Sequence, residues 1–125
     1  MTTALPAVSD MLITVKSREI QRAMQARLHG NAAASERHFL AAGHLELVLA
    51  DDYDEIHEHE LASRSRVSAA SCLWQAGQLD RAQAIFDAIV DSDPDAADEL
   101  RAVIADLRKN APATRPPRKR GSRSG

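Results

Sequence analysis

Apolar residues recur three and four positions apart along most of the chain. In the first run Ile13, Ile20, Met24 and Leu28 share one side, and Leu12, Val15, Ala23 and Ala26 an adjoining side. That spacing predicts a helix from Ser9 or Asp10, either of which can accept hydrogen bonds from the exposed first-turn amides, to about His29. Its apolar stripe is wide enough for two neighbours. Gly30 and Asn31 suit the left-handed backbone that ends a helix. A second helix then carries Ser35, Phe39, Ala42, Leu45 and Leu49 to about Ala50. The acidic run Asp51, Asp52, Tyr53, Asp54, Glu55 reads as the start of a third helix, roughly Asp54 to Ala76, where negative charge meets the positive end of the peptide dipoles. Gly77 ends it. Leu79, Ala82, Ile85, Phe86, Ile89 and Val90 define a fourth helix, and Asp93-Pro94 stops the chain and restarts it, with Asp93 as the cap. Ala97, Leu100, Val103, Ile104 and Leu107 form the apolar face of a fifth.

No stretch alternates apolar and polar residues over the length of a strand, and aromatic residues make up only 3% of the chain. The expected fold is all-α, with about five helices in one domain over residues 9–110, since 125 residues support one modest core. Residues 1–8 are expected to be flexible. Residues 111–125 hold three prolines and no aliphatic side chain larger than alanine, and are expected to be a disordered basic tail.

Small and large residues alternate informatively in Ala70 to Pro94. Ala70 and Leu73 precede Gly77, and Leu79, Ala82, Phe86, Ile89 and Pro94 follow it. At the same mutual offsets upstream stand Ala23, Ala26, Gly30, Ser35, Phe39 and Ala42. In this pattern the chain resembles the tetratricopeptide repeat family. The two copies, marked by Gly30 and Gly77, are 47 residues apart, against about 34 in the family, which predicts a lengthened second or third helix. The signature Trp-x-x-Leu-Gly-x-x-Tyr is absent, and Trp74 falls elsewhere.

The resemblance implies two antiparallel helix hairpins with the last helix as a cap. It also implies a concave surface lined by the first helix of each pair, which places Ile20, Met24 and Arg27 beside Arg64, Val67, Ser71 and Trp74. On this reading the protein is a non-enzymatic adaptor or scaffold that binds a peptide, a partner helix or a second copy of itself. The competing reading makes Ile20, Met24, Val67 and Trp74 ordinary core.

Charge divides the chain unevenly. Arg115, Arg118, Lys119, Arg120 and Arg123 carry five positive charges, so a formal net charge of −2 leaves −7 for the remainder. A basic tail of this kind supports an alternative role as a nucleic-acid accessory protein through salt-sensitive phosphate contacts. It offers no aromatic residue for base stacking.

Five histidines invite a metal site around His57 and Glu60, but two residues separated by two positions lie about 200° apart around a helix, so His57 and His59 would not face one ion. His38 and His44 fail similarly, and no cofactor or metal is expected. Cys72 sits in an apolar helical pattern and reads as packing, and Gly43 as a close approach between helices. A lone cysteine, together with an opening segment that is neither basic nor apolar, points to a reducing, cytoplasmic setting, and no membrane partner is expected.

Overall fold

The structure, a computed structural model, describes residues 7–109. Among them are five α-helices and no strand: α1 (Ala7–Leu28), α2 (Ala32–Glu55), α3 (His59–Gln75), α4 (Leu79–Ser92) and α5 (Ala97–Lys109), with a 3-10 turn at Pro94–Ala96 before the last. The all-α reading holds. α1 packs on α2, α2 on α3 and α3 on α4, while α5 lies against both α3 and α4.

One turn geometry makes the first three connections. Gly30, His57 and Gly77 have φ of 74°, 63° and 85°. In each turn the next residue donates its N–H back to a carbonyl of the preceding helix at 2.8 Å: Asn31 to Ala26, Glu58 to Tyr53 and Gln78 to Leu73. The left-handed residue itself donates at 3.0 Å to Arg27, Asp54 and Trp74 respectively. These paired bonds satisfy carbonyls that a helix end leaves open. The Asn31 side chain also accepts from the Ala34 amide at 3.1 Å, capping α2.

The second of these turns corrects the sequence reading. α2 runs on to Glu55 and α3 begins at His59, so the acidic run closes α2 instead of opening α3. Negative charge is unfavourable at that end of a helix. It is offset from outside: Arg66 reaches Asp51 at 3.1 Å and Asp54 at 2.7 Å, His59 meets Asp54 at 2.7 Å, and the Ser9 hydroxyl donates to Asp52. Ser9 therefore lies inside α1, tying its start to the end of α2, and does not cap it. Asp93 likewise makes no side-chain cap; its carbonyl accepts from the Ala96 amide, and Pro94 opens the 3-10 turn.

Two apolar clusters form the interior. Ala23, Phe39, Ala42, Cys72 and Ala76 fill the space among α1, α2 and α3. Ala70, Leu73, Ala82, Phe86, Ile89, Leu100 and Leu107 fill that among α3, α4 and α5. Half-buried Leu40 packs against both and joins them. Alanines at the crossings bring the helices close, and Phe39 and Phe86 occupy the gaps; both rings are buried. Gly43 shows how close α2 comes to α3: a Cβ there would stand 3.1 Å from Leu73 Cδ2 and 3.3 Å from the Ala69 carbonyl oxygen.

Candidate functional site

The seven residues expected on a docking face sit on α1 and α3, and fall into two groups. On α1, Ile20 is half-buried against the first cluster, Met24 is 54% exposed, and Arg27 is exposed. Arg27 is nevertheless held. Its guanidinium carbon lies 4.9 Å from the centre of the Phe39 ring, and Nη2 donates to Gln75 Oε1 of α3. This side-chain bridge joins the C-terminal ends of α1 and α3, and Gln75 is a site residue that sequence periodicity did not single out. Arg27, Gly30, Ala32, Ser35, Glu36 and Gln75 enclose a pocket of about 120 Å³ at that end.

The α3 residues face a different neighbour. Val67 and Trp74 pack against the second cluster, and Arg108 of α5 places its guanidinium 5.8 Å from the Trp74 ring centre. Ser71 spends its hydroxyl on the Val67 carbonyl, at 3.0 Å. Arg64, exposed, pairs with Glu60 one turn back at 3.2 Å. Arg64, Val67 and Ser68 then form one wall of an open groove of about 350 Å³, whose other wall is Glu99, Leu100 and Val103 of α5. The fifth helix thus supplies half of this groove. Its apolar stripe was legible, but which surface the stripe would cover was not.

A second groove, of about 320 Å³, runs between α2, α3 and α4 and is lined by Leu47, Ser63, Arg66, Ile85, Ala88, Ile89 and Ser92. Arg66, on its wall, pairs with Asp51 and Asp54.

Beneath the surface, Lys16 of α1 contacts Glu46 of α2 at 3.3 Å, and the Glu46 residue is only 4% exposed. Cys72 of α3 lies close to this pair, and burial, with the Glu46 charge adding to it, pushes its thiol pKa up to about 11. A thiol so raised is a poor nucleophile near neutral pH. It serves as a small apolar contact.

His57 and His59 are placed differently from the expectation that both sit on one helix. They do not lie on one helix, because His57 occupies the turn, and their rings meet edge to face with centroids 5.9 Å apart. His59 Nδ1 is engaged by Asp54, whose carboxyl is held below its ordinary pKa by that hydrogen bond and by Arg66. His38 contacts Glu19 at 2.7 Å, and His44 meets Arg81. Among the described residues no group of three or more His, Cys, Asp or Glu side chains is placed to hold a metal ion. No helix there is long and apolar enough to cross a membrane.

Arg115, Arg118, Lys119, Arg120 and Arg123 lie outside the described residues. No protein-family profile, curated protein or solved structure matches the chain.

Proposed function

We infer that this chain is a small tetratricopeptide-like docking module that binds a peptide or helix of a partner protein across α1, α3 and α5. The observation that carries this reading is the groove between α3 and α5. Val67, Leu100 and Val103 offer an apolar floor there, and Arg64 and Glu99 offer opposite charges on its two sides. Such a combination suits an apolar anchor side chain flanked by polar groups, the usual composition of a recognition surface. Met24 is also exposed, on α1, and on this reading adds an apolar contact outside the groove. The equivalent turns at Gly30 and Gly77 and the buried pair Phe39 and Phe86 support the repeat-like arrangement that would create it.

The test is selection of binders from a random peptide library on the full chain, followed by rebinding to Met24→Glu and Arg64→Glu. Both side chains are exposed, so the variants keep the fold. The reading predicts an enriched apolar motif whose binding falls at least tenfold in one or both variants. Failure to enrich any motif, or binding to both variants as strong as to the wild type, would refute it.

A further inference from the structure

The groove between α3 and α5 has two unlike ends. α5 runs in the same direction as α3, with Arg64 and Glu99 at one end and Trp74 and Arg108 at the other. The apolar floor of Val67, Leu100 and Val103 lies toward the first end. The chain leaves α5 after Lys109, at the second end, and residues 110–125 follow.

At the first end the chain turns from α4 into α5 through an acidic corner. Asp91, Asp93, Asp95, Asp98 and Glu99 are all exposed there, and residues 91–99 include no Lys or Arg. Asp98 is paired with Arg101. The other four stand outside the ion pairs formed among the described residues.

Residues 110–114, Asn-Ala-Pro-Ala-Thr, carry no charge, and Arg115, Arg118, Lys119, Arg120 and Arg123 come after them. The lengths agree with a return along the groove. Glu99 lies about 15 Å back along α5 from Lys109, at 1.5 Å per residue. The six residues from Lys109 to Arg115 reach up to about 20 Å when extended, which leaves room for the reversal. Ala111, Pro112 and Ala113 then cover Val103 and Val67, Arg115 comes to Glu99, and the next three cations reach the corner beyond. Neutral residues meet the apolar floor and cations meet carboxylates, in the order in which each occurs. Exposed ion pairs are individually weak. Within one chain, however, a short tether holds the partners at an effective concentration on the order of millimolar.

We propose that residues 111–123 are the occupant of this groove: the chain's own basic segment lies back between α3 and α5, anchored by Arg115, Arg118, Lys119 and Arg120 on the acidic corner. A partner docking in the groove has to displace it, and that consequence alone rests on the docking reading.

The full chain with a nitroxide attached at Ser122→Cys tests the contact without any partner. Cys72 is buried and its thiol hard to ionise, so it stays unlabelled. The label is expected to broaden the amide signals of Asp91, Asp93, Asp95 and Glu99 and to leave those of α1 sharp. Changing Arg115, Arg118, Lys119 and Arg120 together to Glu should abolish the broadening and shift the amides of Val67, Ser68 and Val103, as the neutral stretch leaves the groove. Sharp signals throughout the helices, the result for a segment reserved for nucleic acid, overturn the proposal, as does broadening centred on another element. Broadening that survives the four charge reversals overturns it, and so do unmoved signals at Val67, Ser68 and Val103. Broadening that arises only between an isotope-labelled chain and a separate spin-labelled copy is contact between copies, and overturns it too.

Discussion

Gly43 of α2 and Leu73 of α3 approach so closely that one methyl group does not fit between them without movement. A Cβ at position 43 would lie 3.1 Å from both Cγ and Cδ2 of Leu73, a side chain with no exposure and packed on every side. In an unconstrained helix, Gly→Ala gains about 1 kcal/mol. Here the gain is outweighed, because Leu73 would have to move into the cluster formed with Ala70, Ala82 and Phe86. Gly43→Ala is therefore expected to destabilise the fold by about 1–3 kcal/mol, the usual cost of overpacking. Urea unfolding followed by circular dichroism measures it, and a more stable variant would show that the two helices have room to separate.

The Lys16–Glu46 pair predicts a non-additive result. Removing one partner strands the other, and Glu46 is the more deeply buried. Lys16→Ala should cost about 3 kcal/mol, toward the lower limit for a buried pair because water reaches part of the Lys16 side chain. Glu46→Leu combined with Lys16→Met should recover most of that loss, as apolar replacements often do. A double-mutant cycle in denaturant decides between this coupling and two independent effects.

Acid should loosen the turn between α2 and α3. Asp54 has its pKa lowered by the hydrogen bond with His59 and by Arg66. A carboxyl depressed in the folded state contributes stability that is present above its unfolded value, about 4, and is lost as pH falls through the lower folded value. Asp54→Asn should therefore lower the melting temperature near neutral pH and narrow its gap from the wild type below about pH 4. Thermal melts across that range are the check, and a constant gap would show that the pairing does not stabilise the fold.

This turn also marks where the sequence stops being legible. Gly30 and Gly77 announce their turns because glycine adopts positive φ without cost. His57 adopts φ of 63° with no such sign, at a strain of about 1–2 kcal/mol. The acidic residues before it fit a helix start by charge alone, and their partners at a helix end, Arg66 and Ser9 from distant positions and His59 from just past the turn, are set by the fold. With the turn misplaced, His57 and His59 read as residues of one helix. The periodicity of Phe39, Phe86 and the alanines, by contrast, reports local packing, and the all-α fold followed from it. The candidate site was half readable for a related reason. Met24 and Arg64 project from helices whose faces periodicity defines, whereas Glu99 and Val103 enter the groove only through the way α5 folds back on α3.

The proposed docking role requires α1, α3 and α5 to present one face to a partner. The most direct measurement is an amide chemical-shift map of the labelled chain, titrated with the peptide selected on it. The predicted result is a set of shifts concentrated at Met24, Arg64, Val67, Ser68, Glu99 and Val103, with α4 little changed. Shifts confined to α4, or to the groove around Leu47, Ile85 and Ser92, would contradict it.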